Sequence, residues 1–535
     1  MWTTLLSFAF VMAMVSWLGK KWMGNEDLDT QDGYFLGGRS LTGIVIAGSL
    51  IMTNISTEHL VGMNGSAYKN GALVITWEVT SAIALVIAAL FFAPQYLKIG
   101  LTTLPELLEK RFDAKLRSYV DIMLIISFIF TLLPIVLYTG AISIEHLFGI
   151  AELLGVNQAT GIWVTVLITG TIGAIYAIYG GLKMVAVTDT LFGFGLIVGG
   201  LAIPILGLLH IGDGDLFQGW TILWSNAREK FNVISDEPSI GPGARDAILP
   251  FSVLFTGMII NQLYFWAMHQ SIIQRVLGAA SLKEAQKGLL YTGILKLTLP
   301  LIIILPGIIA FQIFGDRYYG HLDQVYPALV KMLLPQWATG FFIAIIAGAV
   351  LSTFNSGLNS AATLFSLGIY KKLYKPQASH DQVVRTGKKV SIILAIGSIL
   401  IAPMVAKAPQ GLYQLLQQLN GIFFIPMATM ILAALFMPWI STLAAKAGLI
   451  FGLLFYIVMQ YILQVDLHFV HIWGLEFVLN IVFMSLLSWF YKPSHSYVIK
   501  DMRFVDMSPW KYTLPLGIIL MAVTVAVYLV LGNLN

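Results

Sequence analysis

Long apolar stretches separated by short polar connections run along nearly the whole of this 535-residue chain. A helix needs about 20 apolar residues to cross a bilayer. By that measure fourteen spans are expected, near 2–18, 42–66, 73–95, 119–147, 160–178, 185–210, 249–272, 288–313, 338–368, 389–408, 413–436, 447–464, 470–490 and 513–531. The pattern predicts an all-α polytopic membrane protein. Residues 1–18 have the apolarity of a signal peptide but lack a basic start and a small-residue cleavage site, so a retained first helix is expected. The longer connections, among them 96–118, 211–248, 369–388 and 491–512, are too short to hold a kinase or receiver domain. A sensor reading is weakened accordingly.

The basic residues test that pattern. If the loops after odd-numbered spans are taken as one side, they hold 23 of the 31 lysines and arginines, from Lys20 and Lys21 through Lys371, Lys372 and Lys375 to Lys511. The opposite loops hold 7, and Lys296 falls inside a span. A miscounted span would exchange the sides of everything after it and erase the asymmetry. By the positive-inside rule both termini are expected outside the cytoplasm.

Composition narrows the class. The chain is 58% hydrophobic and 11% charged, against about 25% charged residues in soluble domains. It has no cysteine, which excludes disulfides, thiolate nucleophiles and thiolate metal sites. A formal net charge of +4 is too small to suggest a nucleic-acid partner. The chain has neither HExxH nor GxSxG, and no enzyme is expected.

Chemistry enters where polar residues interrupt an apolar span. Met52-Thr-Asn-Ile-Ser-Thr-Glu-His59 lies at mid-depth in span 42–66. An ionised side chain there costs up to about 3 kcal/mol. Such a run is tolerated where an unwound helix faces a cavity or bound solute. The clearest ionisable residues within spans are Glu58, His59, Glu78, Asp189 and Lys296, accompanied by the amides Asn54, Gln262, Gln417 and Gln418. They either pin helices together or form a binding site. Packing alone is met by small residues, so five ionisable groups favour a site. Trp77, Phe265, Trp266 and Tyr413 lie beside them. Aromatic faces next to carboxylates and amides suit a sugar, with its apolar faces and hydroxyl rim.

A second constellation is Ala349-Val-Leu-Ser352-Thr353-Phe-Asn355-Ser356. Ala349, Ser352 and Thr353 share one helical face. Their hydroxyls bond back to the preceding turn or, opposite carbonyls freed at the Met52–Ile55 break, surround a small hard cation with neutral oxygens.

These segments resemble the sodium/solute symporter family. The run Ser49-Leu-Ile-Met-Thr-Asn54-Ile-Ser-Thr-Glu-His59-Leu-Val-Gly-Met63 is similar to its broken first core helix. Tyr176-Ala-Ile-Tyr-Gly-Gly-Leu-Lys-Met-Val-Ala-Val-Thr-Asp189, Ser271-Ile-Ile-Gln-Arg275, Glu284-Ala-Gln-Lys287, and Ser352-Thr353 with Asn359-Ser360 continue the likeness along essentially the whole chain. Within the family it is closest to the sodium/glucose and sodium/galactose cotransporters. The resemblance implies a five-plus-five inverted repeat with discontinuous first and sixth core helices. Residues 1–40 then form an extra helix and inner loop, 41–210 the first repeat, 247–436 the second, and 437–535 three further helices.

It also implies roles. Sodium, the co-transported ion, would be held by carbonyls of Met52, Ile55 and Ala349 and hydroxyls of Ser352 and Thr353. The sugar would meet Asn54, His59, Glu78, Ser81, Gln262, Lys296 and Gln417. Met63, Trp77, Phe265, Trp266 and Tyr413 would be gates. Asp189 and Ser356 match a second sodium site, but Asn355 stands where a hydroxyl residue is usual. Phe265 stands where a bacterial galactose transporter has its inner-gate tyrosine. His59 matches animal glucose transporters, whereas a bacterial galactose transporter has Gln. The function so implied is sodium-driven import of a hexose-like sugar across a plasma membrane, the bacterial inner membrane being expected. A sugar acid or inositol remains an alternative substrate, and a substrate-gated channel or sensor a remoter one. Oligomeric state is left open.

Overall fold

The computed structural model describes residues 2–24, 28–245, 247–407, 412–493, 501–532 and 534. Lys500, counted among the inner basic residues, lies outside them. The main helices are α1 (Trp2–Met23), α2 (Gly43–Asn54), α3 (Thr76–Ile87), α4 (Ala114–Phe148), α5 (Gln158–Ile211), α6 (Gly257–Met268) and α7 (Gln270–Leu277). They are followed by α8 (Leu282–Ile303), α9 (Gln336–Thr363), α10 (His380–Ile401), α11 (Leu412–Phe436), α12 (Thr442–Ile457), α13 (Phe469–Phe490) and α14 (Thr513–Leu531).

Among the described residues, 12 helices are long and apolar enough to cross a membrane, fewer than the fourteen expected. Spans 42–66 and 249–272 account for the difference, because neither is a continuous helix. The first ends at Asn54, where Ile55 is extended (φ −85°, ψ 109°). Asn, Ser and Thr side chains compete for backbone hydrogen bonds and weaken helix there. The second breaks at His269 (φ −79°, ψ 129°), between α6 and α7. Both expected discontinuities are therefore present.

A third kink separates the two halves of α5. Gly181 has φ 57°, ψ −171°, a backbone conformation that strongly favours glycine. A side chain there would also approach the Tyr34 carbonyl oxygen to 2.9 Å. Expected spans 160–178 and 185–210 thus meet at a glycine hinge.

The broken helix α2 and the long helix α9 lie at the centre. Nearly all of α9 from Thr339 to Thr363 is buried, packed on α1, α2, α4 and α5. By contrast α1 and α14 leave most of their apolar surface exposed. That surface is compatible with lipid and not with water. The polar interruptions are thereby placed at the protein centre, screened from lipid by a ring of apolar helices.

Candidate functional site

The end of α2 at Asn54 leaves its last carbonyls without intrahelical amide partners. Two are taken up across the seam by α9. The Thr353 hydroxyl lies 3.1 Å from the Thr53 carbonyl oxygen and 3.4 Å from that of Met52. Thr53 Oγ1 and Ser356 Oγ are 3.1 Å apart in the same seam. Met52, Ile55, Ala349, Ser352 and Thr353 are all buried. Ser352 Oγ lies beside the Asp189 carboxylate but completes no well-formed hydrogen bond. The seam is lined with neutral oxygens, the donor type a hard monovalent cation takes.

Beside the seam is a small cavity of about 70 Å³. All seven residues expected to meet the sugar line it: Asn54, His59, Glu78, Ser81, Gln262, Lys296 and Gln417. So do Thr53 and Thr353, which places the ion seam and the cavity wall in contact. Lys296 from α8 pairs with Glu78 from α3 and donates to Asn54 Oδ1 at 2.7 Å. Ser81 donates to Gln262 Oε1 at 2.9 Å, and Gln262 Nε2 donates to the Trp77 carbonyl at 2.9 Å. His59 stands between two carboxylates, with Nδ1 3.8 Å from Glu58 Oε1 and Nε2 4.0 Å from Glu78 Oε1. Lys296 is the only lysine or arginine among the described residues lining the cavity, against two carboxylates.

The aromatics divide by position. Trp77 and Tyr413 line both the cavity and a much larger vestibule of about 580 Å³. Their rings meet edge-on at 5.8 Å, and Tyr413 meets His59 at 5.2 Å. Met63 lines the vestibule and not the cavity. Phe265 and Trp266 form the opposite wall, where Phe265 stacks on His269 at 5.6 Å. The vestibule carries Lys69, Asn70 and Asp323, all on the side poor in basic residues. On the other side Glu109 accepts from Lys372 at 2.8 Å and from Arg117, tying the extension of α9 (Leu364–Tyr374) to α4. Burial pushes the Glu109 carboxyl up, but these two cations outweigh it and hold it below the usual carboxylate range.

Asp189 and Ser356 are both engaged by Arg275, a fully buried residue of α7. Its guanidinium lies 3.5 Å from Asp189 Oδ2 and also donates to Ser356 Oγ and the Ser271 carbonyl. Its Nε donates to Ser49 Oγ at 2.5 Å, and Ser49 in turn donates to Asp189 at 2.6 Å. The pair that matches a possible second sodium site already has a cation between its members. Asn355 is buried, and its Oδ1 has no hydrogen-bond partner.

Several lining residues escaped the sequence reading as site members: Ser127, Asn261, His269, Ser271 and Asn420. Glu58 was singled out as ionisable but not as a wall of the cavity. It faces inward because the chain re-enters helix in a wide π-type turn, Glu58–Met63. Asn420 follows Gln417 by one turn on α11, the one signal that would have found it.

Comparison with known proteins decides the class. The model of the sodium:solute symporter family matches residues 34–452. The chain belongs to that family. Among curated relatives, the uncharacterized symporter YidK of Escherichia coli (strain K12) is 42% identical over 95% of this chain and 86% of its own length. The sodium/glucose cotransporter of Vibrio parahaemolyticus is 31% identical over 85% of each chain. A solved Na+-coupled sialic acid symporter in a substrate-bound outward-open state superposes with a TM-score of 0.79 at 20% identity, covering 92% of this chain and 99% of that one. The fold is that of a sodium-coupled symporter. The family member is a multi-pass transporter with sodium as its co-transported ion, and not an enzyme.

Proposed function

We propose that this symporter imports a hexose-like sugar with sodium, the sugar occupying the cavity and sodium the α2–α9 seam. The observation carrying this reading is the cavity lining. Asn54, His59, Glu78, Ser81, Gln262, Lys296 and Gln417 offer donors and acceptors in many directions, beside the rings of Trp77, Trp266 and Tyr413. A polyhydroxylated ring uses both kinds of wall. The charge balance disfavours a sugar acid, because Lys296 is already paired with Glu78 and Glu58 adds a further carboxylate.

The coupling follows from the shared wall. Sodium bound to neutral carbonyl and hydroxyl oxygens keeps its full charge, so the membrane potential contributes about 2.3 kcal/mol per 100 mV. An ion joining the end of α2 to α9 orders Asn54 and Thr53 at the edge of the cavity. Each ligand then strengthens the other by the same factor. Relative movement of the two repeats, 41–210 and 247–436, alternates access. In this reading the vestibule faces the outside of a bacterial inner membrane, with both termini on that face.

Proteoliposome uptake of labelled glucose, galactose, inositol and a sugar acid, with and without sodium, tests the proposal. Saturable, sodium-dependent hexose uptake is expected. Uptake confined to the acid or to a non-sugar solute overturns it.

A further inference from the structure

One buried carboxyl is left unused by the transport site. Glu476 lies midway along α13 and is 0% exposed, and neither of its oxygens has a hydrogen-bond partner. One turn on, Asn480 is equally buried, with both side-chain polar atoms likewise unpartnered. The two side chains face the same bare patch of α12. A side chain at Gly452 would meet Asn480 Nδ2 at 2.8 Å, Glu476 Oε1 at 2.9 Å and Pro426 Cγ at 3.0 Å. Pro426 belongs to α11 and carries no N–H, so the Ile422 carbonyl lacks its usual helical donor.

No lysine, arginine or histidine forms an ion pair with Glu476 among the described residues. The facing elements bring little charge. α11 has no charged residue along its length, and the single lysine of α12, Lys446, pairs with Asp113. Tyr456 of α12 is the nearby phenol, α6 packs on α13 with Tyr264 as its one titratable residue, and His471 at the start of α13 bonds Ser252 and Thr256 instead. A bare carboxylate in such a seam pays a desolvation cost that nothing offsets. A carboxylic acid carries both an O–H and a C=O, the complements of the amide oxygen and NH₂ of the neighbouring Asn480. The close packing about Gly452 suits a bound proton better than a coordinated metal ion.

We propose that Glu476 and Asn480 form a proton-binding site between α11, α12 and α13, and that loss of this proton loosens α11. That helix carries Tyr413, Gln417 and Asn420 of the cavity, so the proton supports the transport site from behind.

The test uses the full-length transporter in detergent. Infrared difference spectra of wild type and Glu476→Gln should show a carboxylic-acid band that the variant lacks and that shifts in Asn480→Leu. Melting temperature should fall with rising pH in wild type and less steeply in Glu476→Gln, whose amide imitates the neutral acid. Identical infrared spectra, or parallel pH profiles, overturn the proposal. So does a loss of one bound ²²Na⁺ per protein in Glu476→Gln, which would make the site a metal site. If Glu476→Gln does not fold, the isotope-edited difference spectrum between wild type and Asn480→Leu decides alone, the lack of any shifted carboxylic-acid band being the refuting result.

Discussion

Lys296 Nζ reaches Asn54 Oδ1 at 2.7 Å while also pairing with Glu78, so one ammonium ties the end of the broken helix to two other spans. Both charged groups are 1% exposed. Removing one member of such a pair strands the other, at about 3–5 kcal/mol. Glu78→Gln and Lys296→Met should each lower the melting temperature, and the double variant should regain much of it. Sugar affinity should stay lost in all three. Full affinity in the stabilised double variant would show that the pair is scaffold and not site.

Sodium binding is tested on α9. Thr353→Ala removes a hydroxyl that bridges to the α2 carbonyls, and Ser352→Ala one that completes no hydrogen bond within the protein. Losing one such partner costs about 1–3 kcal/mol, a rise of roughly five- to hundred-fold in the sodium concentration for half-maximal uptake. Maximal uptake at saturating sodium should change less. An unaltered sodium dependence in the double variant would remove both residues from the site.

Arg275 sets the expected stoichiometry. With its guanidinium between Asp189 and Ser356, that position is already neutralised, and one sodium per sugar is expected from reversal potentials in proteoliposomes. Arg275→Met should lose stability by exposing Asp189 to an uncompensated buried charge. Sodium should restore part of that loss. A wild-type ratio of two would show that Arg275 leaves during transport and that sodium enters in its place.

What the chain made legible, and what it hid, follows from the range of the interactions. The break at Ile55 could be read because local chemistry causes it: a polar run cannot sit in lipid, and Asn, Ser and Thr disfavour helix. The break at His269 carries neither glycine nor proline and no comparable polar run, so local chemistry does not mark it and only the family resemblance led to its expectation. Arg275 counted as one more cytoplasmic cation, since nothing within a few residues signals its partners Ser49, Asp189 and Ser356. Glu476 was passed over although Asn480 follows it by one helical turn, because no cation or second acid in that span marks a site. Six of the seven cavity residues stood out as polar groups inside apolar spans and Ser81 came only from likeness to a family, but their convergence rests on separate helices that periodicity cannot align.

The absence of cysteine makes the direction of opening testable. Ser66 lines the vestibule and Ser127 the smaller cavity, so Ser66→Cys and Ser127→Cys each carry a single thiol. A membrane-impermeant maleimide added outside right-side-out vesicles should label Cys-substituted position 66 quickly and position 127 slowly. Sodium should raise the first rate if it favours this conformation. Glu109→Gln, which releases Lys372 and Arg117 on the opposite side, should favour inward opening and lower it. Labelling of position 66 only from the inside would invert the assigned topology, and an unchanged rate in Glu109→Gln would show that this ion cluster does not hold the inner side closed.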